Sequence, residues 1–177
     1  MADLVDSYSE SNKDVNEGIR SGSKTELAQS FDTGANGGNI YSAKFYIKKS
    51  GTPTGNVYAI LYAHSGTYGT SSVPTGGALA TSDALDISSL TTSYQLIELL
   101  FSSSYTMANS TKYCISIQYT GGDPASLIAG ADGSSPSHGG NAAYYTDSWA
   151  AQAGIDVCFY VYKTDASADT DNFFQLF

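Results

Sequence analysis

Few side chains in this sequence could carry acid–base or nucleophilic chemistry, and their spacing matches no catalytic motif. The only two histidines, His64 and His138, both fall in glycine-rich loops. A catalytic triad holds a histidine between a nucleophile and a carboxylate, and the sequence has no Gly-x-Ser-x-Gly elbow, His-Glu-x-x-His pair or Walker pattern. We therefore predict that both histidines are ordinary surface loop residues, that no residue is catalytic and that the chain is not an enzyme.

The acidic residues suggest two other chemistries. A glycosidase uses a pair of carboxyl groups, which sequence spacing alone does not reveal; glutamate is scarce, and Glu98 lies mid-strand, where we expect it to face solvent. Oxygen-rich loops can bind calcium, and Asp123, Asp132 and Asp147 lie in or beside loops of the second half. Their spacing matches no calcium motif, so we predict solvated turn aspartates, with no metal and no cofactor.

Three aromatic residues near the end of the chain form a candidate platform for a sugar ring. Tyr144, Tyr145 and Trp149 are close in sequence and border a turn. Such rings also prefer burial with a wet polar tip, so they are equally suited to the core and its rim. We favour the core interpretation and keep the glycan platform as the alternative.

The two cysteines, Cys114 and Cys158, both lie on predicted strands. They could form a disulfide only if their strands were neighbours with Cα atoms within about 7 Å. We predict that both are reduced and buried, because the chain is expected to fold in a reducing compartment.

Length and charge restrict the class of protein. A chain of 177 residues is the size of one domain. Its formal net charge of -9 argues against sequence-independent binding of nucleic acid or of an anionic membrane, because both need a positive surface. No apolar run approaches the roughly 18 residues that a transmembrane helix needs.

The segments that carry these residues have the sequence pattern of short β-strands. Residues 40–49 alternate, with Tyr41, Ala43, Phe45 and Ile47 on one face, and period-2 alternation is typical of half-buried strands. Further candidate strands occur at 26–31, 57–63, 78–80, 94–101, 112–120, 126–129, 142–146 and 155–162, and the one at 57–63 is apolar on both faces, as a central strand would be. With no helical periodicity to supply the crossovers of a parallel sheet, the pattern predicts an all-β, antiparallel, jelly-roll-like β-sandwich of about eight strands.

The two ends of the chain differ from the middle. Residues 1–23 are polar, with neither the basic start nor the apolar segment of a signal peptide, and we predict an extended N-terminal arm there, a sandwich at 24–163 and a C-terminal docking tail at 164–177. Four large apolar residues lie in the last five positions: Phe173, Phe174, Leu176 and Phe177. They are expected either to pack back on their own sandwich or to dock on a neighbouring subunit or partner.

Several turn and strand-edge segments carry a resemblance to a known family. They are SGTPTGNV at 50–57, GALATSD at 77–83, SSLTTSYQ at 88–95, NSTKYCI at 109–115, GGD at 121–123 and AYY at 143–145. Over about residues 26–163 the chain resembles the choice-of-anchor type of jelly-roll β-sandwich module found in bacterial surface proteins and phage structural proteins. That resemblance implies display or adhesion rather than catalysis. The chain shows no sorting motif and no signal peptide, which favours the phage setting.

From this resemblance we expect a non-enzymatic virion structural protein of a bacteriophage, either a capsid decoration or head-surface protein or a fibre or tail component. It would be made in the host cytoplasm and released by lysis. Its partners would be other virion proteins, such as the major capsid protein, and further copies of itself in a homo-oligomer. The alternative is a carbohydrate-binding or adhesion module that recognises a host-surface glycan. Neither function involves nucleic acid or a membrane.

Overall fold

The structure is a computed structural model that describes residues 2–121 and 126–164. Its strands form two antiparallel sheets in a sandwich-like arrangement, as the alternating sequence predicts. Sheet 1 contains β1 (Asp3–Tyr8), β2 (Val15–Ile19), β4 (Gly38–Ser50), β8 (Gln95–Leu100), β9 (Thr106–Met107), β11 (Ser126–Asp132), β14 (Asp156–Val157) and β15 (Phe159–Thr164). Sheet 2 contains β3 (Glu26–Asp32), β5 (Asn56–Ser65), β6 (Val73–Thr81), β7 (Leu85–Asp86), β10 (Lys112–Tyr119), β12 (Ala142–Tyr145) and β13 (Trp149–Gln152).

The main core lies between the two sheets. Because side chains alternate along a strand, one face of each strand points into this core. Phe45 and Ile47 of sheet 1 and Leu27 and Ile117 of sheet 2 are all fully buried there. Burial of each such side chain is worth about 1.5–3 kcal/mol, which makes this layer the main source of stability.

Sheet 2 is strongly curled. In the order β13-β12-β3-β10-β5-β6, Tyr62 of β5 and Trp149 of β13 are four strand spacings apart, about 19 Å in a flat sheet. Their ring centroids are 5.9 Å apart, and the two edge strands β6 and β13 are also in contact. The face turned away from sheet 1 is therefore buried, and small side chains such as Ala28, Ser30 and Ser116 occupy it.

Several sequence predictions need correction. Within the described residues there are fifteen strands rather than about eight, because short strands such as β7, β9 and β14 carry too little alternation to be recognised. The segment predicted to be an extended arm contributes β1, which pairs with β15, and β2, which pairs with β11. Of the docking tail, Phe173, Phe174, Leu176 and Phe177 lie outside the described residues.

Helical structure in the described part of the chain consists of two three-residue 3-10 turns, Glu10–Asn12 and Ile87–Ser89. Neither turn approaches the length and apolarity that a membrane-spanning helix requires.

Candidate functional site

Two of the three predicted platform aromatics come together on sheet 2. Tyr145, at the end of β12, and Trp149, at the start of β13, are cross-strand partners whose ring centroids lie 5.3 Å apart in an edge-to-face arrangement. Tyr62 reaches Trp149 from the other side of the curl. All three rings are half-buried, so each keeps part of its surface accessible to solvent. We call Tyr62, Tyr145 and Trp149 the aromatic cluster.

Tyr144 does not belong to this cluster, although the sequence groups it there. Strand alternation directs it to the opposite face of β12, where it packs against the main core. The Lys24 ammonium lies 5.2 Å from the centroid of its ring. Tyr144 therefore packs against the main core, whereas Tyr145 and Trp149 are half-buried on the other face of sheet 2.

A buried carboxyl lies beside the aromatic cluster. Glu26, the strand partner of Tyr145, is only 3% exposed and accepts hydrogen bonds from Ser116 Oγ, from Gln118 Nε2 at 3.1 Å and from Tyr62. Burial raises the pKa of Glu26, and these hydrogen bonds oppose the rise.

A surface pocket of about 210 Å³ begins beside Glu26. Its lining residues are mostly polar: Ser21, Thr25, Gln118, Tyr119, Thr120 and Gly121. Gln118 connects the two features, because its side chain bonds Glu26 and also lines the pocket. Hydroxyl and amide groups beside exposed ring faces are the combination that a sugar-binding surface uses.

Sequence analysis did not include Glu26, Tyr62 or Gln118 in this site. Glu26 is the only acidic residue of the strand predicted at 26–31, and that acid was the available signal. Tyr62 and Gln118 gave no signal, because their approach to Trp149 and Glu26 depends on how tightly sheet 2 curls.

His138 lies in a second polar cluster and is not a surface residue. Its side chain is 8% exposed. Nδ1 accepts from the backbone N–H of Gly140 at 3.0 Å, so the ring proton is on Nε2, which lies 3.3 Å from Asp6 Oδ2. Gln29 Nε2 also reaches Nδ1, at 3.2 Å. Both ring nitrogens therefore have structural partners, and no serine or cysteine nucleophile of the described residues is bonded to them.

The same cluster fastens the N-terminal strand to the sandwich. Tyr8 of β1 donates to the buried Asp132 at 2.7 Å. Asp156 accepts from Gln29 Nε2 at 2.9 Å and from the backbone N–H of His138 at 2.8 Å. These contacts explain why the chain before residue 23 is ordered as part of the sheet.

His64 lies beside a serine, but that serine is too deeply buried to act as a nucleophile. Its Nε2 lies 2.9 Å from Ser72 Oγ. Ser72 is fully buried and its hydroxyl also contacts the Thr67 carbonyl. A nucleophile must reach its substrate, so this pair is a structural contact of the 66–72 loop.

The remaining candidates form no metal centre in the part of the chain that the structure describes. Asp132 is buried and its carboxylate is used by Tyr8, Ser134 and Ser135, while Asp147 is exposed; Asp123 lies outside the described residues. Among the described residues, no group of three or more histidine, cysteine or acidic side chains is arranged to hold a metal ion.

Cys114 and Cys158 are both free and buried. Cys114 lies on β10 of sheet 2, whereas Cys158 lies between β14 and β15 of sheet 1. Burial raises the pKa of each thiol to about 12, which keeps both in the unreactive thiol form.

The comparison with known proteins does not assign this chain to a family. No protein-family model and no curated protein matches the chain.

Proposed function

We propose that the chain is a non-enzymatic, jelly-roll-like structural module of a bacteriophage virion, in a capsid decoration, head-surface, fibre or tail role. The observation that carries this proposal is an apolar strip on the outer face of sheet 1. Strand register sets Leu100, Ser42, Tyr162 and Leu4 side by side across β8, β4, β15 and β1. Ser42 is buried between its neighbours, and we call the other three residues, Leu100, Tyr162 and Leu4, the apolar strip.

The apolar strip has the properties of a docking surface. Leu4 and Leu100 are each 45% exposed and lie about 14 Å apart, three strand spacings. Tyr41, the extra residue of a bulge in β4, is also exposed, at 40%. Large apolar side chains that share one exposed face typically mark an interaction site, and the rest of the surface is rich in hydroxyl and acidic groups.

The apolar tail suits such a surface. β15 ends at Thr164, two residues after Tyr162 of the apolar strip. The 13 residues that follow can span at most about 45 Å, which is enough to reach a neighbouring subunit. We propose that assembly joins the strip and the tail to further copies of the chain and to other virion proteins, such as the major capsid protein.

Charge placed on the apolar strip should weaken assembly. Leu100→Glu puts a carboxylate where burial of the leucine would contribute about 1.5–3 kcal/mol, so we expect self-association or particle attachment to weaken by about tenfold or more. Analytical ultracentrifugation and co-sedimentation with particles measure this. Thr75→Glu, on an exposed position of sheet 2, is the matched control and should assemble normally, whereas deletion of 172–177 should act like Leu100→Glu. Unchanged sedimentation of both strip and tail variants would refute the docking surface.

Carbohydrate binding is the second candidate function, and the aromatic cluster above Glu26 favours it. Exposed aromatic faces stack on sugar rings, and the pocket beside Gln118 supplies donors and acceptors for sugar hydroxyls. A virion component with this site would attach to a host-surface glycan. The two candidates use different faces and can be tested separately.

Loss of the indole should abolish glycan recognition. For Trp149→Ala we expect affinity for any glycan found by array screening to fall at least tenfold, because one stacked ring contributes about 1.4 kcal/mol. Trp149→Phe, which keeps an aromatic ring, should retain most of the affinity. Tyr41→Ala removes an exposed ring from sheet 1 and is the control. A glycan array that shows no binding by the parent chain, with and without calcium, would count against this function.

A further inference from the structure

Three of the eight cationic residues of this acidic chain gather at one end of sheet 1. The ammonium groups of Lys13 and Lys48 lie 4.9 and 4.7 Å from the centroid of the Tyr94 ring. That ring is stacked on Tyr46 with centroids 4.8 Å apart. Lys49 is the next residue along β4 and donates to the carbonyl of Ser88 at 2.5 Å. The result is a local positive surface on a protein with a net charge of -9.

These three lysines differ from Lys24, Lys44 and Lys112 in their partners. Lys24, Lys44 and Lys112 each form an ion pair with a carboxylate. No such pair is formed by Lys13, Lys48 or Lys49 with any residue that the structure describes.

Two acids lie near this group: Asp14, which follows Lys13 in the sequence and accepts from the backbone N–H groups of Gly133 and Ser134, and Asp86, which lies near Lys49. Hydrogen bonds from Ser88 and, to a smaller degree, the charge of Lys49 lower the pKa of Asp86. Asp86 accepts from the Ser88 backbone N–H at 2.8 Å, and among the described residues it forms no ion pair with any of the three lysines.

A pocket of about 300 Å³ opens beside these charges. Hydrogen-bond donors dominate its lining, and no carboxylate is present in it: Asn16, Lys48, Lys49, Ser50 and Thr92, with Ile128 at one wall. Asn16 accepts the Tyr94 hydroxyl on Oδ1 at 2.7 Å, which leaves its NH2 group as a donor. Unpaired cations, an amide donor and hydroxyls around a cavity of this size match one small anionic group.

We propose that this pocket binds an oxyanion, with Lys48, Lys49 and Asn16 as its principal donors. The oxyanion is either the carboxylate of an acidic saccharide unit or free phosphate or sulfate. A long polyanion is disfavoured, because the net negative charge of the rest of the protein repels it.

Strand register supports a saccharide source for the anion. In sheet 1, the last residue of β4, Ser50, pairs with the first residue of β11. In sheet 2, the last residue of β10 pairs with Val57, near the start of β5. The short segment between Ser50 and Asn56 joins the end of β4 to the start of β5, so these strand ends lie at the same end of the sandwich. Glu26 pairs with both Gln118 and Tyr145 at this same end of the sandwich. The cationic pocket and the aromatic cluster therefore lie at one end of the molecule. The saccharide source rests on the glycan-binding candidate function, whereas oxyanion binding itself does not.

The test is titration of the full chain with glucuronate, sulfate and phosphate at low ionic strength, followed by NMR and calorimetry, with neutral glucose as the reference. We expect saturable binding that moves the signals of Asn16, Lys48 and Thr92 and weakens as salt is added. Tighter binding of glucuronate than of sulfate or phosphate would identify the acidic saccharide as the source, and the reverse order would identify the free ion. No saturable shift at these residues with any of the three anions would overturn the proposal.

Two variants distinguish a specific anion-binding site from a general effect of surface charge on anion binding. Lys48→Met should weaken anion binding at least tenfold. Asn16→Asp keeps an oxygen for the Tyr94 hydroxyl but replaces the NH2 donor with a negative oxygen, and it should also weaken anion binding at least tenfold. Lys112→Met is the matched control, because Lys112 also lies over a ring, that of Tyr68 at 5.1 Å, but is paired with Asp32. Equal weakening in all three variants would refute a specific site. Trp149→Ala should leave sulfate binding unchanged, so failure of the glycan candidate and failure of this pocket are distinguishable.

Discussion

Gly140→Ala should destabilise the protein by about 3 kcal/mol, because the new methyl group has no space. A Cβ at this position would lie 2.0 Å from the carbonyl oxygen of Ser30 and 2.7 Å from its Oγ. The segment cannot move away cheaply, since Ser30 and Asn141 are joined by hydrogen bonds through both backbone and side chain. Urea unfolding followed by tryptophan fluorescence measures the change.

Gly77→Ala is the matched control for this substitution. Gly77 lies on β6, where nothing lies within 4 Å of an added Cβ. We expect its unfolding free energy to stay within about 0.5 kcal/mol of the parent. Equal unfolding midpoints for the two variants would show that the contact between β3 and the 140–141 segment is not rigid.

Gln29→Leu should be nearly as damaging, because it removes the centre of the buried polar cluster. Gln29 donates to Asp156 and accepts from the backbone N–H of Val157 at 2.9 Å. Leucine fills the space but leaves the buried N–H of Val157 without its Gln29 acceptor and takes one of two hydrogen-bond donors from the buried Asp156 carboxyl, which keeps the backbone N–H of His138. Each lost hydrogen bond costs about 1–3 kcal/mol. The same substitution at the exposed Gln95 is the control and should cost about 0.5 kcal/mol or less.

The cost of Gln29→Leu should also depend on pH. Burial raises the pKa of Asp156, while the hydrogen bond from Gln29 opposes that rise. A carboxyl with a raised folded-state pKa stabilises the fold below its unfolded pKa of about 3.9, and that contribution is lost as pH rises through the folded value. Removal of the Gln29 donor raises the folded pKa further, so the destabilisation should be larger at pH 7 than at pH 4. A pH-independent difference would show that Asp156 is not the group affected.

The main core was predictable from sequence, because it depends on alternation within single strands. Ala43, Phe45 and Ile47 were assigned to one face of a strand, and all three are fully buried. Tyr41 was assigned to the same face and is instead exposed. A bulge opposite Tyr162 and Lys163 inserts one extra residue in β4, and an added residue reverses the facing of what precedes it.

The candidate sites were predictable only in part. Tyr145 and Trp149 were singled out because they are close in sequence. Glu26 and Tyr62 join them through contacts across the curl of sheet 2, which no local pattern encodes. Likewise the hydroxyl-rich and small residues of β3 and β10 suggest a solvent-facing surface, yet Ser30 and Ser116 are buried because β6 and β13 meet over them.

The sequence by itself determined the all-β class, the acidic composition and, wherever a strand has no bulge, which of its residues face the core. All of these depend on composition or on the two-residue period of a strand. Only the tertiary structure decided that residues 3–19 complete a sheet, that His138 is buried and that Lys13, Lys48 and Lys49 share one end of the molecule. These features depend on pairings between distant segments, whose register is set by the global fit of the two sheets and not by neighbouring residues along the chain.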